Sequence, residues 1–419
     1  MTISAPADTE SHGIRRVQRR SVTLLAAAQM FSSVGTAAVV TSGPMLSAEL
    51  GGEAWAGGAG TGMAVGAAVA AALLARFAAS HGRRPALATG IVLALAGALA
   101  IIAGAALGAF ALVLLGSVLA GFGNAANLQA RFAATDLAAP RHRGRDLSTV
   151  VWLGTVGVVA GPNLIGLGDE SAMALGLPML AGLFVLSAGC LVVSLLIVVI
   201  GLRPDPLVRA RELAGEPLVA VRRPGLAEGL HAIWAHPRAR AGLAGVVIGH
   251  GLMVGFMSMT PVHMTGMGAV IEIVGFVVSL HMFAMYGLSP LWGMLADRIG
   301  GPTVVLMGLG IVLASGVVGA VAGMNQPLVA TSLVLLGLGW SLATVAGSVL
   351  IVGAIDETDR VAAQGASDTL MNVAGAVFGL LAGFGLSGIG YEGLGIAVAV
   401  ISAAAVVFVA ANARRVAAV

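Results

Sequence analysis

Residues 293–300 read Gly293-Met294-Leu295-Ala296-Asp297-Arg298-Ile299-Gly300, a short charged turn set between two apolar runs near 269–293 and 302–323. Each run is long enough to cross the hydrocarbon layer of a bilayer, which takes roughly 20 apolar residues at about 1.5 Å rise each. A degenerate copy lies in the first half of the chain, where residues 75–84 read Ala-Arg-Phe-Ala-Ala-Ser-His-Gly-Arg-Arg, again between apolar runs. Aligning Gly300 on Gly82 gives an offset of 300 − 82 = 218, about half of the 419 residues. A charged turn repeated at half-chain spacing points to two similar halves.

Working outward, further runs fall near 21–44, 55–79, 85–107, 109–132, 147–168 and 178–202, and then near 240–262, 327–353, 362–388 and 391–412. With the two runs beside the turn, twelve are expected. The long polar stretch 203–239 holds Pro204, Pro206, Pro217, Pro224 and several arginines. It divides the chain into an N-terminal six-helix bundle (1–202), a central loop (203–239) and a C-terminal six-helix bundle (240–419). The expected class is therefore an all-α membrane protein of twelve transmembrane helices in two bundles.

Composition agrees. The chain is 58% hydrophobic and 10% charged, with a mean hydropathy of +0.98. A soluble domain carries about 25% charged residues, so most of this surface must face lipid. All the basic residues are arginines, 22 in number. They sit in short runs between apolar stretches and form no single basic face, so nucleic acid is not an expected partner.

Basic residues stay on the cytoplasmic side of a membrane. With the N-terminus inside, the inner segments hold Arg15–Arg20, Arg83 and Arg84, Arg141–Arg145, Arg203–Arg240, Arg298, Arg360, Arg414 and Arg415, with Arg76 and Arg131 at inner helix ends. The outer loops then carry only acids, among them Glu49, Glu53, Asp169, Glu170 and Glu392. The expectation is a multi-pass protein of the cytoplasmic (inner) membrane with both termini in the cytoplasm. The first apolar stretch is too long for a signal-peptide core and reads as an uncleaved helix. Cys190 stands alone, which rules out an intramolecular disulfide and a cysteine-based zinc site.

The segment 293–300 resembles the G-x-L-A-D-R-x-G signature of the major facilitator superfamily, and the twelve runs, the central loop and the placement of the signature extend that resemblance over the whole chain. The first-half copy keeps Gly82, Arg83 and Arg84 but has Ala79 in place of the aspartate. The resemblance implies two bundles around a central cavity that rock against each other. It also implies a cytoplasmic gate of Gly293, Asp297, Arg298 and Gly300, with Asp297 facing the positive end of the helix that begins near Arg145 and Asp146. The pattern Gly157-x-x-x-Gly161-Pro162-x-x-x-Gly166 partly resembles one common in antiporters of the superfamily, but plain helix packing accounts for small-residue spacing of this kind.

Polar groups inside a membrane are costly and are therefore candidates for function. Helix 7 presents His250, Met253 and Met257 at i, i+3, i+7, and helix 8 presents His281 and Met285 at i, i+4. Both histidines fall near the bilayer centre. Thioether and imidazole together suit a soft ion such as Cu(I). The Met253-x-x-x-Met257 and His281-x-x-x-Met285 pair resembles the motif of CcoA-like copper importers, which implies uptake of copper as a transported substrate, with no tightly bound cofactor. Residues 261–267, with His263, Met264 and Met267, are expected to form an outer loop that either presents metal or is a turn with incidental side chains.

The alternatives are core packing by the methionines, or a cavity for a small organic molecule such as riboflavin or an exported drug. Gln29, Asn124, Asn127, Asp368 and Asn372 would line that cavity, with Gln129 nearby, unless these residues simply join helices by hydrogen bonds. Glu272 reads as interfacial. No phosphate-binding loop or nucleophile arrangement is present, so neither ATP-driven transport nor an enzyme is expected. A non-transporting sensor is disfavoured by the shortness of 203–239. The expected partners are lipid and a small-molecule or metal-ion substrate, and the protein is expected to work as a monomer.

Overall fold

The computed structural model describes residues 6–139, 143–214, 226–356 and 359–417. Lipid offers no partner for backbone N–H and C=O groups, so each spanning segment must satisfy its own, and the described residues are helical with no strand. The first half contains α1 (Pro6–Thr41), α2 (Gly43–Gly51), α3 (Gly58–His81), α4 (Arg83–Leu107), α5 (Phe110–Ala133), α6 (Arg143–Ala160), α7 (Ile165–Ala174) and α8 (Gly182–Leu196). Two short helices follow, α9 (Pro206–Ala214) and α10 (Leu226–Ala235). The second half contains α11 (Pro237–Gly266), α12 (Ile271–Tyr286), α13 (Ser289–Ile299), α14 (Gly301–Ala322), α15 (Gln326–Ala354) and α16 (Arg360–Ala417).

Ten helical stretches are long and apolar enough to cross a membrane, one of them the 51 residues Ala362–Asn412. That stretch is two spans meeting at Gly390, whose φ of 72° and ψ of −180° lie outside helical geometry. A further span is made by the shorter apolar α12 continued by α13. Together these give the twelve-helix, two-bundle architecture. Large apolar side chains such as Leu99, Leu115, Ile200, Val321 and Val407 stand exposed on the bundle, as lipid-facing positions require.

The signature segment differs from its sequence reading. Residues 293–299 belong to α13, so the turn is Gly300 alone, at φ 87° and ψ 139°. In the first half, residues 75–81 end α3 and Gly82 alone makes the turn, at φ 96° and ψ 172°. Both angles fall where a side chain is not tolerated. The repeat seen in the sequence is thus a repeat of one-residue glycine turns.

At Ala79, where the first copy lacks its aspartate, α9 supplies the contacts. Arg211 Nη1 donates to the Ala79 carbonyl at 3.3 Å. One Asp205 oxygen accepts from the Arg84 backbone N–H at 2.6 Å, and the other from Leu207 and Val208 at 3.0 and 3.2 Å. A single carboxylate therefore caps both α4 and α9, where the helix dipoles favour negative charge. We predict that Asp205→Ala lowers stability by about 1–2 kcal/mol, read as a lower melting temperature in detergent, whereas Glu212→Ala on the exposed side of α9 leaves it unchanged. Nearby, Arg83 pairs with Asp136 through Nε at 2.8 Å and Nη2 at 3.1 Å, and Nη1 donates to Gln129 Oε1 at 3.0 Å. Burial pushes the Asp136 carboxyl above the usual carboxylate range, and the Arg83 hydrogen bond pulls it back.

The halves meet toward the acidic end of the molecule. Thr61 donates to the Ala376 carbonyl at 2.9 Å, and Asn163 Nδ2 donates to Ser279 Oγ at 2.7 Å, which in turn donates to the Val159 carbonyl. Glycines allow the approach: a Cβ on Gly57 would run into the Gly379 carbonyl, one on Gly383 into that of Ala54, and one on Gly275 into that of Pro162. Trp55 reaches Phe384 across the seam, ring centroids 6.3 Å apart. Toward the arginine end, Arg131 of α5 and Asp368 of α16 place opposite charges on the two halves. Asp368 is exposed although it lies two turns inside α16. The described contacts between the halves gather at the acidic end, which is closed.

Candidate functional site

The helices bring Met253 and Met257 of α11 and Met285 of α12 into one buried cluster with Met259, Met264, Met282 and Trp340. The two histidines engage α15 separately. His281 is fully buried, with Nδ1 2.6 Å from the Leu333 carbonyl. A carbonyl only accepts, so Nδ1 carries the proton and Nε2 has a bare lone pair; among the described residues that nitrogen has no partner. His250 is the reverse. The Trp340 indole N–H, a donor only, reaches Nδ1 at 3.1 Å, so the proton of the neutral ring is on Nε2, beside Gly375.

Leu333 and Trp340 are seven residues apart, about 10 Å along α15, so the imidazoles are anchored at different levels. Among the described residues no group of three or more His, Cys, Asp or Glu is placed to hold a metal ion. The methionines come together, each imidazole is anchored on α15 through Nδ1, and Nε2 of His281 has no partner among the described residues.

A second polar set lies on α5 and α16, one helix from each half. Asn124, Asn127 and Arg131 are spaced i, i+3, i+7 and share a face of α5. On α16 of the other half, Asn372 Nδ2 donates to the Asp368 carbonyl at 2.8 Å. Gln29 of α1 lies over Gly154 of α6, and its buried Oε1 has no partner among the described residues. Gln129 belongs instead to the Arg83 pair. Deeper in the second half, Trp340 links His250 to Tyr286, whose ring stands edge-on to it at 5.7 Å.

Sequence reasoning treated Arg131 only as a topogenic charge and passed over Trp340 and Tyr286. The spacing from Asn124 and Asn127 was the signal that could have picked out Arg131. Residues 261–266 are not an outer loop. They complete α11, where His263 stacks on Tyr391 with centroids 4.1 Å apart and Nε2 lies 3.2 Å from the Gly323 carbonyl. The helix runs through the buried Pro261, although a proline there removes one N–H and crowds the carbonyl a turn earlier. Asp169, expected in an outer loop, is buried in α7. The glycines of α6 pack on α1: a Cβ on Gly157 would strike the Met30 carbonyl and one on Gly161 would strike Ala37. Pro162 bends the chain into a short tight turn over Gly161–Leu164.

In the expected gate, Gly300 makes its turn, Arg298 is exposed and Gly293 has open space around it, while the side chain of Asp297 lies outside the described residues. The start of α6 is occupied by its own half. Gln18 Nε2 donates to Asp146 Oδ2 at 2.7 Å and to the Ala134 carbonyl at 2.7 Å, and Arg145 pairs with Asp146 at 3.1 Å.

Twelve apolar helices in two bundles are the architecture of a multi-pass membrane protein. Residues 25–274 and 268–417 match the sequence model of the Major Facilitator Superfamily, and the chain belongs to that family. It is a transporter and not an enzyme. Over 398 residues it is 33% identical to YdeG of Bacillus subtilis (strain 168), an uncharacterized MFS-type transporter, covering 94% of this chain and 90% of that protein. It is also 28% identical to the riboflavin transporter RfnT of Brucella anthropi, over 75% of this chain and 76% of that protein. Among solved structures it is similar to the nucleoside transporter NupG, with a TM-score of 0.74 at 14% identity, covering 94% of this chain and 99% of that one.

Proposed function

We propose that this transporter moves a small organic solute with several hydrogen-bonding groups, of the flavin type, through a cavity between α5 and α16. The observation that carries the reading is a set of polar and oppositely charged residues on one helix of each half, Arg131 with Asn124 and Asn127 on α5 and Asp368 with Asn372 on α16. Ionisable groups inside a membrane bundle mark substrate or ion pathways. Amides and a charge pair satisfy the heteroatoms of a polar organic molecule, and a riboflavin transporter is among the relatives. By the distribution of arginines the arginine end is cytoplasmic, both termini are inside, and the host membrane is the inner membrane.

Copper uptake is the second reading, favoured by the shared cluster of Met253, Met257 and Met285 and by the bare Nε2 of His281. It would require His250 to give up its bond to Trp340, or to stay out of the ligand set. Reconstituted protein separates the readings when riboflavin and Cu(I) uptake are measured in parallel. The organic reading expects saturable flavin uptake, reduced at least tenfold in Asn124→Ala/Asn127→Ala and unchanged in Met253→Ala/Met257→Ala. Copper accumulation that depends on those methionines, with no uptake of riboflavin, would replace it with the second reading.

A further inference from the structure

Among the groups that the transport reading does not use, Asp169 is the most costly. Its side chain is 5% exposed, and its Oδ1 is buried with no hydrogen-bond partner among the described residues. An ionised carboxylate left so is strongly disfavoured. Its position makes this informative, because α7 packs on α12 of the other half, at the closed acidic end. The Glu272 carboxylate of α12 lies over Gly166, one turn from Asp169, 3.5 Å from where a Cβ on that glycine would stand. Glu272 thus faces this stretch of α7 from the other half. Other elements packed against α7 are α8 and the turns Gly161–Leu164 and Met179–Ala181, and none carries a charged residue. Glu170, next in the chain, is exposed.

The two acids are not equivalent. Glu272 is exposed in the first turn of α12, where the helix dipole favours a negative charge. Asp169 is buried, and its Oδ1 has no hydrogen-bond partner among the described residues.

We propose that Asp169 is a proton-binding site occupied while the acidic end is closed, with Glu272, from the opposite half, holding the proton there. Closing the seam takes Asp169 out of water and brings a like charge toward it, so the closed form binds a proton more tightly than the open form does. Opening separates α7 from α12, hydrates Asp169, and releases the proton to the acidic side. By linkage, the proton stabilises the closed seam at low pH, and that stabilisation is lost as pH rises. The site therefore makes opening of the acidic end pH-dependent, whatever the substrate.

The test is a distance between the halves. Leu175 and Met324 are exposed at the acidic end, one in each half. Spin labels on Leu175→Cys and Met324→Cys, in a Cys190→Ser background, report the separation in reconstituted protein from pH 5 to pH 9. The expected result is one short distance at low pH and a longer component that grows several-fold as pH rises. Asp169→Asn, a permanent mimic of the protonated acid, should stay at the short distance throughout. Glu272→Gln should keep a smaller pH-dependent component, because only the like charge has been removed. Growth of the long component in Asp169→Asn as in the parent overturns the proposal. Should Asp169→Asn fail to fold, Glu272→Gln on its exposed site decides it, and an unchanged amplitude there overturns it equally. Uptake assays play no part in the readout, so failure here leaves the substrate reading standing.

Discussion

Asp368→Asn should reduce transport at least tenfold while leaving the protein folded in the membrane. Arg131 of α5 and Asp368 of α16 place opposite charges on the two halves of the molecule. Rocking the halves the other way must bury the arginine end, and with it the guanidinium. Removing one partner of a buried ion pair costs about 3–5 kcal/mol, and every 1.4 kcal/mol is about tenfold in an equilibrium. The single variant is therefore expected to stall with the arginine end open. Arg131→Gln should do the same, but Arg131→Gln/Asp368→Asn should recover part of the rate, since no charge is then left unpaired. The measurement is initial uptake into vesicles, normalised to the amount of folded protein. A double variant no better than the worse single one would count against the pairing, and full activity of Asp368→Asn would remove the carboxylate from the mechanism.

Gly57→Val is expected to cost as much by a different route. A Cβ at Gly57 would overlap the Gly379 carbonyl oxygen of the other half. No rotamer relieves a clash with backbone, so the seam at the acidic end cannot close. The Leu175–Met324 distance should lengthen at every pH, and uptake should fall about tenfold or more, since a substituent that must shift packed backbone costs of order 1–3 kcal/mol and upward. Gly310→Val is the control, because a Cβ there meets nothing within 4 Å. If Gly57→Val transports like the parent and keeps the short distance, the seam is looser than these contacts make it.

The class of the protein was legible in residues that obey short-range rules. Apolar runs of bilayer length, arginines confined to alternate loops and a charged turn repeated at an offset of 218 residues each report a local property of the chain. The structure keeps that plan and sharpens the turn to single glycines, Gly82 and Gly300, at positive φ. It also shows why the first copy survives without an aspartate at Ala79: Asp205 and Arg211, more than 120 residues away in sequence, cap and hold the same corner. No spacing rule connects those positions.

The candidate site divides the same way. That Met253, Met257 and Met285 share an interior follows from helical periodicity on two neighbouring helices. Which way His250 and His281 turn does not, because it depends on which nitrogen finds a carbonyl or an indole on α15. Arg131 read as one more topogenic charge until α16 placed an opposite charge, Asp368, on the other half. The sequence alone determined solvent, helix count and the likeness of the two halves, since hydrophobicity and φ preference belong to each residue by itself. Only the tertiary structure decided which end is closed and which polar groups face one another, since those depend on distances between helices far apart in the chain.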